Sequence, residues 1–242
     1  MDRERFYNPE LTATRPIQAL LMSGDHSGSV FGYMKDIISA YENVLNMVET
    51  EEILKDAVQL TLTAFNEEVD VLKYPDEENV MNDKIRGLKA NGGTSLHYAI
   101  EKNAQYLLHS IKEQQKMGRV FNGAMMIVPT DGEPTDAPSA SFDQTMEYLK
   151  SKGIKLLAFA LPGADEKFLN KYFDLVVPIG DIHKFPHIVA SVCQAILPSI
   201  SQSRPGESLT FKFGTNEGVK DLVVDVDEIV IDDDNPVIDV RG

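Results

Sequence analysis

The chain has 242 residues, 43% of them hydrophobic, and a formal net charge of -15. That length suffices for one sizeable domain with an extension, and the charge excludes DNA and other polyanions as natural partners, because no basic stripe offsets the field. The single cysteine, Cys193, excludes an intramolecular disulfide and fits a reducing compartment. The segment from Met1 to Pro9 is charged and lacks the apolar core of a secretory signal. No apolar run approaches the ~18 residues of a membrane span. These features predict a cytoplasmic protein with no membrane partner.

Residues 1–15 are polar and read as an N-terminal arm. Ile17 to Met22 is almost continuously apolar, the pattern of a strand buried on both faces. Val30 to Val48 carries apolar residues at helical spacing. Asp56 to Phe65 and Glu68 to Tyr74 read as strands joined by a tight turn at Asn66-Glu67. A helix over Asp76 to Leu88 stops at Asn91-Gly92-Gly93, and Ser95 to Lys116 forms the next. Gly123 to Pro129 is the most apolar run and reads as a central strand. Helices over Ser139 to Lys152, Asp165 to Tyr172 and Ile182 to Leu197 then alternate with strands over Ile154 to Ala160 and Asp174 to Pro178. Strand–helix alternation of this kind predicts a three-layer α/β/α sandwich with a mostly parallel central sheet. One antiparallel edge strand comes from Glu68 to Tyr74.

In such a sheet ligands gather outside the carboxyl ends of the strands. Three turns at that edge carry oxygen ligands: Asp25-His26-Ser27-Gly28-Ser29, Gly92-Gly93-Thr94-Ser95, and Thr130-Asp131-Gly132-Glu133-Pro134-Thr135. Alternate residues of an extended segment point the same way, so Asp25, Ser27 and Ser29 can present oxygens to one point. A hard divalent cation takes oxygen ligands, and Mg²⁺ is held by few carboxylates while keeping several waters.

Taken together, these motifs resemble a von Willebrand factor A domain with a complete metal-ion-dependent adhesion site. The resemblance covers roughly Ile17 to Leu197. The family's D-x-S-x-S falls on Asp25, Ser27 and Ser29, its distant threonine on Thr94, and its later aspartate on Asp131. Gly-Gly-Thr and Thr-Asp-Gly-Glu-Pro-Thr are similar to bacterial intracellular members of the tellurium-resistance TerY type. The resemblance implies that Ser27 and Ser29 bind the metal directly. Thr94 binds directly or through water, and Asp25 and Asp131 act mostly through water and hydrogen bonds to those hydroxyls. It implies Mg²⁺ or Mn²⁺, with Ca²⁺ less suited, and a protein partner that supplies Asp or Glu to the metal. Family members usually run apolar residues straight into the aspartate. Here Ser23-Gly24 intervenes, which predicts a bulge or bend at the strand end.

Other candidates have plainer readings. His26 points away from the metal by alternation. His183 and His187 are four apart on a helix but have no further Cys or His to complete a zinc site. Cys193 and the methionines read as core. Glu133, Thr135 and Asp136 lie near the site and could shape partner choice, though the plainer reading is an exposed polar loop. Residues 201–242 read as a linker and an acidic tail, partly extended or disordered, that could add to a sheet edge, self-associate, or place a carboxylate at the metal. The function expected is a metal-dependent adaptor or scaffold, not an enzyme. The alternatives are a metal-dependent phosphoesterase and a structural subunit with a bracing metal.

Overall fold

The structure, a computed structural model, describes residues 16–75, 82–215, 218–232 and Val237. The arm and part of the helix expected over Asp76 to Leu88 lie outside them. β1 (Ile17–Asp25) is the central strand, and all nine of its residues are buried. Leu20 and Met22 enter the core on one face of the sheet; Ile17, Ala19 and Leu21 enter it on the other. Burial on both faces explains the nearly continuous apolar run from Ile17 to Met22, broken only at Gln18. Parallel partners flank it, β2 (Val58–Phe65) on one side and β4 (Phe121–Thr130) on the other. β5 (Lys155–Ala160) and β6 (Leu175–Pro178) continue in parallel beyond β4. β3 (Val69–Lys73) closes the opposite edge antiparallel to β2. The order β3-β2-β1-β4-β5-β6 is the expected mostly parallel sheet with one antiparallel edge strand. Its winding reverses between β1 and β4, where ligand loops of open α/β sheets converge.

α1 (Met34–Thr50), the short α2 (Glu52–Lys55) and α3 (Asn82–Arg86) contribute core residues to the Leu20 face. The opposite face carries α4 (Leu96–Lys116), α5 (Phe142–Ser151) and α6 (Glu166–Tyr172). α7 (Phe185–Gln202) returns to the Leu20 face and buries Cys193, whose thiol burial pushes up to about 12. β7 (Glu207–Thr215) and β8 (Gly218–Val226) then form an antiparallel pair. Leu222, Val224 and Val226 of β8 are buried in that same core.

Several boundaries differ from the sequence reading. The helix expected over Val30 to Val48 is split, with 3₁₀ turns at Gly28–Tyr33 and α1 starting only at Met34. The β2–β3 connection has three residues: Phe65 pairs with Val69, and the Asn66 side chain accepts from Glu68 N–H at 3.1 Å to shape the turn. α7 runs through Pro198 to Gln202, into the segment read as linker. Ile200 is buried there, and the Gln18 side chain donates to the Leu197 carbonyl at 2.8 Å. Ser23-Gly24 makes no bulge: β1 pairs with β2 without a shift from Gln18↔Val58 to Asp25↔Phe65. β7 has no counterpart in the sequence reading.

After β8 the chain crosses to the opposite face, where Ile229, Ile231 and Val237 join the α4-side core. Ile229 N–H donates to the Phe121 carbonyl at 2.8 Å, and Lys152 Nζ meets Asp232 Oδ2 at 2.6 Å. Phe121 begins β4, whose ten residues separate it by roughly 30 Å from the loop after Thr130. Asp232 therefore lies at the end of the sheet remote from Asp25 and makes no contact with the candidate metal site.

Candidate metal centre

The last residues of β1 are fastened on both faces before the chain reaches Asp25. Ser23 and Thr63 are both fully buried, and Asn103 of α4 bridges them: its Nδ2 donates to Ser23 Oγ at 2.7 Å and its Oδ1 accepts from Thr63 Oγ1 at 2.8 Å. On the other face the buried Tyr41 of α1 accepts from the Gly24 N–H and donates to the Thr63 carbonyl. These two backbone groups have the spacing that pairs Gln18 N–H with Ala57 C=O and His26 N–H with Phe65 C=O along the ladder. The tyrosine hydroxyl thus braces a β1–β2 rung. A side chain at Gly24 would put its Cβ 2.6 Å from that hydroxyl. The departure from an apolar run at Ser23-Gly24 is therefore a joint between β1 and two helices that each follow a ligand loop.

Asp25 is fully buried and both of its oxygens are engaged. Oδ1 accepts the Ser27 N–H at 2.8 Å, folding the chain back in a turn of the Asx type. Oδ2 accepts from Thr130 Oγ1 at 2.6 Å, which ties β1 to the end of β4. Ser27 Oγ lies 3.0 Å from Ser29 Oγ, and Ser29 Oγ donates to Asp131 Oδ1 at 2.8 Å. Four candidate ligands thus form one hydrogen-bonded run.

Thr94, the fifth, is brought to the same place by backbone contacts. Its carbonyl accepts from Thr135 N–H at 2.8 Å, and its N–H donates to Thr135 Oγ1 at 3.1 Å. Its side chain packs on Gly132, where a Cβ would sit 2.8 Å from Thr94 Cγ2. Glycine at 132 is therefore what lets Thr94 approach the residue after Asp131. Gly92, at φ +71, turns its carbonyl to accept the Gly28 N–H at 3.0 Å, joining the first loop to the second. Asp136 caps α4 from the third loop, with Oδ1 on His97 N–H at 3.2 Å and Oδ2 on Tyr98 N–H at 2.8 Å.

Burial pushes the Asp25 carboxyl above its ordinary range, against the opposing hydrogen bonds from Ser27 and Thr130. Asp131 is also raised, first by burial and further by the negative charge of Asp25, while the Ser29 hydrogen bond pulls it down. A buried carboxylate and a half-buried one whose ionised form it disfavours are relieved by a cation. No group of three or more His, Cys, Asp or Glu able to hold a metal occurs among the described residues. The donors here are hydroxyls backed by two acids, which suits a hard cation that retains waters and does not suit a nitrogen- or sulfur-bound metal.

His26 faces away, as alternation predicts: its Nδ1 lies 3.1 Å from the Lys89 carbonyl, and its buried Nε2 has no hydrogen-bond partner among the described residues. His183 is 84% exposed and meets Asp36 at 3.3 Å. The sequence pattern does not single out Thr130, Asn103 or Tyr41, and it places Asp136 in an exposed loop. Thr130 carried the only readable hint, since it adjoins Asp131.

The sequence profile of the von Willebrand factor type A domain matches residues 24–173. A comparison with curated protein sequences finds no match. Among solved structures, proximal thread matrix protein 1 from the mussel byssus superposes with a TM-score of 0.58 at 14% identity, covering 74% of this chain and 46% of that one. The same protein with a zinc-occupied MIDAS motif gives 0.58 at 12% identity, covering 73% and 47%. The pilus adhesin SpaC from Lactobacillus rhamnosus GG, in an open conformation, gives 0.60 at 14% identity, covering 90% and 38%. This chain spans less than half of each of those chains, and at such identities the likeness is one of fold. With a profile match over more than half of its length and this sheet order, the chain belongs to the von Willebrand factor type A domain family.

Proposed function

We propose that the protein is a divalent-metal-dependent interaction module, an adaptor or scaffold and not a catalyst. Asp25, Ser27, Ser29, Thr94 and Asp131 would hold the cation, with Mg²⁺ or Mn²⁺ preferred to Ca²⁺. The observation that carries this reading is the hydrogen-bonded run Asp25–Ser27–Ser29–Asp131, with Thr94 packed against Gly132. It gathers hydroxyls and only two carboxylates at the switch point of the sheet. When bound there, the cation retains positive charge and supplies an open position for a carboxylate. The partner is then a protein that presents Asp or Glu, not a nucleic acid or a membrane.

The metal face belongs to residues 16–200, and residues 201–242, expected from the sequence to be a linker and tail, supply Leu222, Val224 and Val226 to the core of that unit. A cytoplasmic setting and a tellurium-resistance or stress role fit the Gly92-Gly93-Thr94 and Thr130–Thr135 motifs. Titration calorimetry should show saturable Mg²⁺ or Mn²⁺ binding that Asp25→Ala abolishes. A partner captured in Mg²⁺ should be lost both in EDTA and with Asp25→Ala. A folded wild type that binds neither cation overturns the reading.

A further inference from the structure

Phe31 is 79% exposed, the most exposed large apolar side chain among the described residues. Single exposed apolar residues are ordinary; the position and mounting of this one are not. It stands two residues after Ser29, in the 3₁₀ turns of Gly28–Tyr33. That turn is held on all sides: Val30 is fully buried, Met34 enters the core, Ser29 donates to Asp131, and Gly28 N–H donates to the Gly92 carbonyl. The backbone beneath the ring is thus fixed by the same contacts that assemble the candidate ligands. Beside it Gly32 is exposed, and a Cβ there would meet nothing within 4 Å. A rigidly mounted aromatic ring with open space around it gives contact area at little entropic cost.

The surrounding charge restricts what can dock. Residues 25–33, 91–95 and 131–136 contain no Lys or Arg, the exposed Lys35 and Lys89 lying just outside them, and they include Glu133 and Asp136 besides the two candidate ligand acids. Glu67 is exposed and leans on the second loop, its Oε1 accepting Gly93 N–H at 3.1 Å. A bound divalent cation would neutralise the centre and leave this rim negative, on a chain of net charge -15. Further acids in a ligand would face Glu67 and Glu133 within a Debye length.

Resting on the metal-dependent reading above, we propose that Phe31 is the apolar half of the ligand contact. The partner then offers one isolated carboxylate beside a large apolar side chain, on a neutral or basic surface. A run of acids, such as residues 232–234 of a second copy, is disfavoured.

The test is a random heptapeptide display library panned on the full chain in Mg²⁺ and in EDTA, followed by affinity measurements on wild type, Phe31→Ser and Asp25→Ala. Wild type should enrich, in Mg²⁺ only, peptides with a single Asp or Glu next to a large apolar residue. Phe31→Ser should bind them about ten- to hundredfold more weakly, the scale of one buried phenyl ring, while its calorimetric Mg²⁺ affinity stays at the wild-type value. Metal-dependent enrichment of acid runs, or of acids without an apolar neighbour, overturns the proposal and leaves the metal reading standing. Equal affinity of Phe31→Ser and wild type does the same. Enrichment that survives EDTA and Asp25→Ala overturns the metal reading itself, and no enrichment at all counts against both.

Discussion

Gly24 has no room for a side chain because Tyr41 fills the space beside it, and the consequence is testable in stability. Gly24→Ala must displace a fully buried ring whose hydroxyl braces Gly24 and Thr63, a kind of overpacking that costs about 1–3 kcal/mol. Chemical denaturation should show that loss in the wild-type background and a smaller one beside Tyr41→Ala. Additive losses would mean that the two positions do not oppose each other. Ser23 is the matching case on the other face, since Asn103→Ala would leave two buried hydroxyls, Ser23 and Thr63, short of a partner. The sequence marks Ser23-Gly24 as unusual but does not reveal the cause. Tyr41 lies 17 residues from Gly24 and Asn103 lies 80 from Ser23, and no local pattern links residues at such separations. The ligands themselves were legible because alternation within one loop, and glycines beside the other two, act over a few residues.

At the level of elements, α4 begins at the candidate centre and is capped from outside. Ser95 precedes the helix but makes no side-chain cap bond; Asp136 supplies both capping oxygens. A carboxylate at a helix N-terminus satisfies otherwise unpaired N–H groups and favours the helix dipole. Asp136→Ala should therefore cost about 1–2 kcal/mol in denaturation. It also cuts a tie between the second and third loops, so Mg²⁺ affinity should fall several-fold with the fold retained, and Asp136→Asn should lie between the two. Unchanged Mg²⁺ affinity in a destabilised Asp136→Ala would reduce the residue to a helix cap alone. The elements were largely legible, because apolar periodicity reports burial wherever one element packs on one neighbour. Periodicity failed at Gly28–Tyr33, where Val30 is buried but Phe31 turns outward, and at Pro198, where burial of Ile200 carries α7 onward. The capping role of Asp136, which reads as exposed loop, is not legible because the donors it satisfies are 38 and 39 residues away.

For the molecule as a whole, the question is whether the C-terminal segment is an appendage to be released or part of the fold. Its alternation, with Leu222, Val224 and Val226 set apart by Val223 and Asp225, reads as a strand, but the pattern does not say which surface the strand covers. In the structure those three residues complete the core on the α7 face, while Ile229 and Ile231 complete it on the α4 face. Burial of a large aliphatic side chain is worth about 1.5–3 kcal/mol at most. Five such residues therefore contribute up to roughly 8–15 kcal/mol, comparable with the ~5–15 kcal/mol stability of a typical domain. Removal of everything after Pro205 should abolish cooperative melting in circular dichroism, and no binding-competent species should remain. The single change Ile229→Asp, which places a charge in that core and leaves the rest of the chain intact, should lower the melting temperature without altering Mg²⁺ affinity in the fraction that stays folded, because the Phe121 end of β4 is remote from Asp131. A truncated chain that melts cooperatively and binds acidic peptides more tightly than the full chain would instead make residues 206–242 an inhibitor of the metal face. The contacts of Ile229 with Phe121 and of Asp232 with Lys152 argue against that for residues 229–232, since they hold this stretch at the opposite end of the sheet.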